Sequence, residues 1–307
     1  MREVCCPILQ IRKRFSPVVT RLASEHDIDL NAIMGTGRDG RVTKNDVLIA
    51  VEAGKSSITS SSPQETAANG DQVIKPTTLR RTIADRMVKS MSEIPHAWSA
   101  IEVDVTGMVE WRTANKSFFE QRYGVRLTYL PITLFAVSKA LRSNPRINSS
   151  WVDGNIVLKV AINVGVAVAA DQGLVVPVIR NSADSSIPDI ARQLDQVIRR
   201  ARNGKMTLDD VQGGTFTLNN TGTLGSVWGG AIINHPQAAI LTTEAIVKRV
   251  VVISKNGKDT VAVRSMMNLC LSFDHRIIDG ADSSNFLQAI KTDLEAKTLY
   301  PSVGSLF

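Results

Sequence analysis

Between residues 77 and 91 the sequence "TTLRRTIADRMVKSM" places Leu79, Ile83, Met87 and Met91 four apart. That spacing predicts an amphipathic helix with a basic outer face. Similar periodicity predicts helices over "TGMVEWRTANKSFFEQR", from Pro131 to Leu141, over 186–203 and over 281–297. Alternating or continuous apolar runs predict strands in "AWSAIEVDV", in "GGTFTLNN" and in the segment that ends at Phe273. The stretch "NIVLKVAINVGVAVAADQGLVVPVI" reads as two or three strands broken at Asp171-Gln172-Gly173, and Lys255-Asn256-Gly257-Lys258 predicts a tight hairpin between "RVVVIS" and "TVAVR". Strands and helices do not alternate simply, so the expected fold class is a mixed α/β sandwich rather than a doubly wound sheet.

Upstream, residues 16–53 read as a separate small helical unit. Ser16 is placed to cap a helix that begins with Pro17, and Val18, Val19, Leu22 and Ala23 give it an apolar face. Thr43 and Asp46 have the spacing of a capping box before Val47, Leu48 and Val51, and Gly54 is expected to end that helix. Between the two helices, "GTGRDG" (35–40) fits G-x-G-x-x-G, but no strand precedes it, so a dinucleotide-binding reading fails. Gly35, Gly37 and Gly40 are instead expected to adopt positive φ in a tight loop. Residues 54–74 are poor in large apolar side chains and read as a flexible linker. Residues 1–15 read as a tail without a signal-peptide core, and residues 75–307 as the large domain.

Composition narrows the function classes. The chain has 307 residues, a net charge of +7, 43% hydrophobic and 21% charged residues, as expected of a globular chain. The excess charge lies mostly after residue 75, which suits an anionic ligand without choosing one. Three cysteines, Cys5, Cys6 and Cys270, form neither a zinc spacing nor a disulfide framework, which favours a reducing compartment. The longest apolar run, 160–170, is too short to span a bilayer. No membrane or nucleic-acid partner is expected.

The candidate chemistry lies in "LCLSFDHRIIDG" (269–280), where a buried strand ends in His275 flanked by Asp274, Arg276 and Asp279. Burying such groups is costly unless they are paired or used. An imidazole held at a strand end can act as a general base near neutral pH, and Asp274 or Asp279 could pair with Arg276 and fix the loop. His26, His96 and His235 lack such company and read as structural or surface groups. A metal site is disfavoured, since His275 and Asp279 have no further ligands nearby in sequence. No G-x-S-x-G elbow supports a serine hydrolase.

"DHRIIDG" resembles the signature of the dihydrolipoamide acyltransferases, the core subunits of 2-oxoacid dehydrogenase complexes. The shorter H-x-x-x-D-G is shared with chloramphenicol acetyltransferase. "LRRTIADRMVKSM", "QGLVVPVIRN" and "GGTFTLNNTGTLGS" resemble further segments of their catalytic domain, and "SPVVTRLASEHDIDLNAIMGTGRDGRVTKNDV" resembles their peripheral subunit-binding domain. The resemblance implies a chloramphenicol-acetyltransferase-like sheet sandwich preceded by a small all-α domain. It implies acyl transfer between dihydrolipoamide and coenzyme A, with His275 as general base and Asp279 in an orienting role. The oxyanion donor in the family is usually a Ser or Thr in the fourth position of "FTxS". Here that position is Asn219, with Thr217 and Thr221 as fallbacks. Arg112, Thr128 and Asn220 carry over as coenzyme A contacts.

The resemblance further implies that the small domain holds a 2-oxoacid decarboxylase or dihydrolipoyl dehydrogenase through Arg21, Arg41 and Lys44. It implies a homotrimer, built into a cubic or icosahedral core, with its active site in a channel between subunits. The lipoyl domain with which the family usually begins has no counterpart in residues 1–15, so lipoyl groups are expected from other chains or from a longer form of this one. "FTLNNTG" and "INHPQAAIL" look most like the branched-chain enzymes. The expected location is the cytoplasm, or the mitochondrial matrix in a eukaryote. Two rival readings are a non-catalytic subunit-binding scaffold and a small-molecule acetyltransferase of the chloramphenicol type.

Overall fold

The computed structural model describes residues 15–25, 30, 33–37, 40–56, 72–170 and 173–296. Cys5, Cys6, His26 and most of the expected linker lie outside these residues. Backbone contacts divide the chain into two compact units, Met1–Lys75 and Pro76–Phe307.

The first unit has helices α1 (Pro17–Glu25) and α2 (Lys44–Ser56). Its core is small: Val19, Val42 and Val47, with Leu22, Leu30 and Ile33 packed against them. A polar group supplements it. The buried Asp46 carboxylate accepts the Thr36 N–H (3.0 Å), the Thr36 hydroxyl (2.6 Å) and the Thr43 N–H (2.8 Å). The Asp46 N–H donates in return to Thr43 Oγ1 at 3.4 Å. The expected capping box thus forms, and it also ties the interhelical loop to α2. Two details differ from expectation. Only Gly40 of the three loop glycines has positive φ (72°). Gly35 is needed for close packing, because a Cβ there would lie 2.5 Å from the Arg41 carbonyl carbon. Nor does Gly54 end α2, which runs on to Ser56.

The second unit begins with α3 (Thr78–Glu93), whose N-cap Thr77 accepts the Arg80 N–H at 3.2 Å. Then follow β1 (His96–Asp104), α4 (Thr106–Tyr123), α5 (Tyr129–Ser143), β2 (Ser149–Val152) and β3 (Asn155–Leu158). Four short strands come next, β4 (Val164–Val166), β5 (Val168–Ala170), β6 (Gly173–Val175) and β7 (Val178–Ile179). Helices α6 (Ile187–Arg202) and α7 (Leu208–Val211) precede β8 (Phe216–Asn220), β9 (Ala239–Thr243), β10 (Val247–Lys255), β11 (Lys258–Asp274) and α8 (Gly280–Glu295). The predicted helices are all present, α6 with a complete Ser186–Asp189 capping box. The stretch expected as two or three strands is five short ones, because its apolar residues serve different partners: β3 pairs with β2, β5 with β6, and β4 with both β7 and β8.

The main sheet has seven strands in the order β1-β11-β9-β8-β4-β7, with β10 on β11. Strands β4, β8 and β9 are parallel and the other pairs antiparallel, so the sheet is mixed, as expected. The two runs predicted at 260–273 are one strand of 17 residues. Its first half forms the expected hairpin with β10 through Asn256 (φ 52°) and Gly257 (φ 73°). Its second half lies between β1 and β9.

One face of the sheet carries Leu218, Leu241, Leu269, Leu271 and Phe273, and packs into the main core with Leu134 and Val137 of α5, Ile190 and Leu194 of α6, and Phe286 and Leu287 of α8. By strand alternation the other face carries Thr217, Asn219, Ile240, Thr242, Cys270 and Ser272. Ile240 packs there with Ile94 and Ile233 in a separate cluster. Among the described residues no helix is long and apolar enough to cross a membrane.

The hydrogen bonds to Asp46, led by the Thr36 hydroxyl, hold its carboxyl well below its ordinary 3.8. A carboxyl depressed on folding adds stability above its unfolded value and loses it as pH falls through the folded one. The small unit should therefore weaken progressively below about pH 4. Asp46→Asn should lower its stability at pH 7 and flatten that acid dependence, as read by hydrogen exchange at the Thr36 and Thr43 amides. An unchanged acid profile in the variant would show that the clamp is dispensable.

Candidate active site

At the end of β11 the chain is fixed by an ion pair and backbone bonds. Asp274, only 2% exposed, accepts three hydrogen bonds from the Arg276 guanidinium: Nε to both oxygens (3.0 and 3.2 Å) and Nη2 to Oδ2 (2.7 Å). It also accepts the Arg276 backbone N–H at 3.0 Å. The guanidinium stands 5.1 Å from the centre of the Trp151 ring, and Asp274 above all pushes the Arg276 pKa up. The Asp274 N–H donates to Ala238 O at 2.8 Å, the His275 N–H to Pro95 O at 3.0 Å, and the Ile277 and Ile278 N–H groups to Asp274 O at 3.0 Å. Of the two carboxylates that could pair with Arg276, Asp274 does so. Asp279 caps α8, its Oδ1 accepting the Asp282 N–H at 2.8 Å.

This frame leaves the His275 imidazole exposed beside Phe273, with ring centres 5.7 Å apart. The other described histidines are occupied. His96 Nδ1 lies 2.8 Å from Ile94 O, and its Nε2 accepts the Ile233 N–H at 3.1 Å. His235 Nε2 lies 3.0 Å from Glu93 Oε2. Among the described residues no group of three or more His, Cys, Asp or Glu side chains could hold a metal ion.

Asn219 is half-buried near the end of β8. Its two fallbacks are already committed: the Thr217 hydroxyl donates to Gln237 Oε1 (2.6 Å) and the Thr221 hydroxyl to Glu244 Oε2 (2.7 Å). The Asn219 amide forms no hydrogen bond with the described residues. Across the sheet Asn219 pairs with Thr242, and Thr242 with Cys270. His275 lies five residues beyond Cys270, so Asn219 and His275 are about 16 Å apart along the strand direction alone. One chain does not bring them together.

Of the expected coenzyme A residues, Arg112 and Thr128 lie beside Tyr129, and Asn220 lines a cavity with that tyrosine. Arg112 lies on α4. It is half-buried, donates from Nε to Leu127 O at 3.0 Å and lies 5.3 Å from the centre of the Tyr129 ring. Thr128 occupies the N-cap position of α5 with its side chain exposed. Tyr129 and Asn220 line one cavity of about 290 Å³ with Leu130, Thr133 and Met267. In the small unit Arg41 and Lys44 are exposed, while the Arg21 side chain is not among those described.

Two groups had no signal in the sequence. Thr242 and Glu244 are each 2% exposed, and Thr242 Oγ1 and Glu244 Oε1 lack hydrogen-bond partners. A threonine and a glutamate after "AAIL" look like any strand end; only burial sets them apart.

Comparison with known proteins places these features in a lineage. Residues 68–300 match the family model of the 2-oxoacid dehydrogenases acyltransferase catalytic domain, and residues 13–48 match that of an E3 binding domain. The chain is 44% identical over 306 residues to the lipoamide acyltransferase component of the branched-chain alpha-keto acid dehydrogenase complex of Bacillus subtilis, covering 93% of this chain and 72% of that one. A solved chain from Listeria monocytogenes, assigned as a dihydrolipoamide acetyltransferase, superposes with a TM-score of 0.73 at 46% identity, covering 78% of this chain and 100% of that one. The dihydrolipoamide acetyltransferase of Azotobacter vinelandii, in which the catalytic roles of a serine, a histidine and an asparagine were investigated, gives 0.71 at 32% identity, covering 78% and 98%.

Removing the buried half of the Asp274–Arg276 pair should be costly, because it removes the acceptor of four hydrogen bonds and frees the turn that presents His275. Asp274→Ala should lower stability by about 2 kcal/mol, the scale of a hydrogen bond to a charged group, and thermal melting measures it. A shift near zero would mean that the backbone bonds alone hold the turn.

Proposed function

The chain belongs to the acyltransferase family of the 2-oxoacid dehydrogenase complexes, and from that premise we propose that it transfers a branched-chain acyl group between dihydrolipoamide and coenzyme A. The acyl class follows the Bacillus subtilis relative. The observation that carries the chemistry is the exposed His275 imidazole, held in a turn that Arg276 ties to the buried Asp274, while the other described histidines are engaged.

In this reading His275 removes the proton from the attacking thiol, since the thiolate is the nucleophile. The thiolate adds to the thioester carbonyl, and the negative oxygen of the tetrahedral intermediate takes a hydrogen bond from the Asn219 amide. Collapse expels the second thiolate, which recovers the proton from His275. Asp279 keeps its orienting role through its hold on α8, which follows the histidine turn. Arg112 suits the phosphates of coenzyme A, with Thr128 and Asn220 as further contacts. The separation of Asn219 from His275 supports a site assembled from two copies, each giving one of the pair, within a homotrimer that builds a larger core.

We assign the subunit-binding role to residues 16–53, where Arg21, Arg41 and Lys44 would meet dihydrolipoyl dehydrogenase or the decarboxylase. Residues 57–74, after the end of α2, serve as linker and 75–307 as the acyltransferase domain. The lipoyl group arrives as substrate on a lipoyl domain, and the cytoplasm is the proposed location.

His275→Ala should reduce turnover by roughly 10²–10⁴ without changing assembly; activity within a few-fold of wild type would refute the general-base role. Light scattering should give a mass that is a multiple of three chains, and a fully active monomer would rule out the shared site. Asn219→Ala should lower turnover by roughly 10²–10³ with little change in coenzyme A binding, and Asn219→Ser should restore part of it. A normal rate with a lowered melting point would instead make Asn219 a structural residue.

A further inference from the structure

On the sheet face away from the helices, three neighbouring side chains are short of partners. Asn219 and Thr242 are register partners on β8 and β9, so their side chains stand side by side on the same face. Glu244 follows the end of β9, two residues beyond Thr242. Its neighbours place it at that face. The Thr221 hydroxyl donates to its Oε2 at 2.7 Å. The Cys270 thiol is pushed up first by burial and also by the Glu244 carboxylate, through its charge and a side-chain hydrogen bond. Gly222 packs so closely over it that a Cβ would lie 2.4 Å from Glu244 O. The unpaired atoms are complementary: a hydroxyl that can both donate and accept (Thr242 Oγ1), an acceptor (Glu244 Oε1) and an uncommitted amide (Asn219). A buried polar atom without a partner costs about 1–3 kcal/mol, so two together call for a use.

We infer that Thr242 is a positioning residue for Asn219, linking its amide to the Glu244 carboxylate in the reacting complex. The Thr242 hydroxyl donates to Glu244 Oε1, and its oxygen accepts one N–H of the Asn219 amide. The carboxylate polarises the hydroxyl and makes it a better acceptor. With one amide hydrogen so held, Asn219 presents its second N–H, and not its carbonyl oxygen, to the oxyanion. An amide left free would turn either way, and a carbonyl facing the oxyanion would repel it. The inference rests on the oxyanion role proposed for Asn219.

The test is a double-mutant cycle on the full chain with an acyl-coenzyme A as donor and free dihydrolipoamide as acceptor. Thr242→Val keeps the shape and removes the hydroxyl. It should lower kcat roughly tenfold, within the range of coupling between touching groups, and leave the KM for the acyl-coenzyme A unchanged. Thr242→Ser, which keeps the hydroxyl, should retain most of the rate. In an Asn219→Ala background, Thr242→Val should cost nothing more. Thr242→Val with a kcat within twofold of wild type overturns the inference while leaving Asn219 in place. A loss of kcat that persists undiminished in the Asn219→Ala background overturns it as well. If Asn219→Ala alone turns over normally, the oxyanion assignment itself fails, and this inference with it.

Discussion

The large unit depends on the bonds that close β11. This strand of 17 residues joins the β10 hairpin, the edge strand β1 and the inner strand β9, and its last residue, Asp274, is a buried carboxylate. A carboxylate there is tolerable only with a partner, and Arg276 supplies a fork that its geometry matches. Because donor and acceptor are two residues apart, satisfying the charge forces a tight turn. The turn fixes the direction of His275 between them and delivers Asp279 to the start of α8. Fold stability and presentation of the imidazole thus come from one set of bonds.

The sheet divides the labour between its faces. Helices α5, α6 and α8 cover one face with ordinary apolar packing. The other face is covered in part by the segment after β8, held through Thr221 to Glu244 and through Asn268 Nδ2 to Val227 O. That segment leaves Val227 and Trp228 exposed, as is Trp98 on β1. The side of the sheet that carries Asn219 is therefore the less finished one. A group meant to meet a ligand or a second copy belongs on such a side, since burial beneath a helix would close it off.

Much of this was legible in the chain. Periodicity located α4 to α6 and α8, because each buries one stripe in the main core; the same spacing located α3, although its Val88 and Met91 stay exposed. Asn256-Gly257 marked its hairpin, since that turn needs positive φ twice. Residues 155–179 were not legible as five strands: their apolar run is continuous, and only distant partners decide where pairing stops and starts. The partner of Arg276 could not be chosen from spacing, as Asp274 and Asp279 both reach it; burial of the first and the capping role of the second decide the matter. His275 and Asn219 were found through motifs, whereas Thr242 and Glu244 have no motif and emerge only when buried donors and acceptors are counted.

The distance between Asn219 and His275 has a genetic consequence under the proposed shared site. A chain that lacks the imidazole still carries a sound amide, and a chain that lacks the amide still carries a sound imidazole. Two inactive alleles, one at each position, would then complement one another in a mixed trimer, because the neighbouring copies restore one intact pairing where a good His275 meets a good Asn219. Two alleles at the same position would not. Inheritance would distinguish the two defects even though each alone destroys the same reaction.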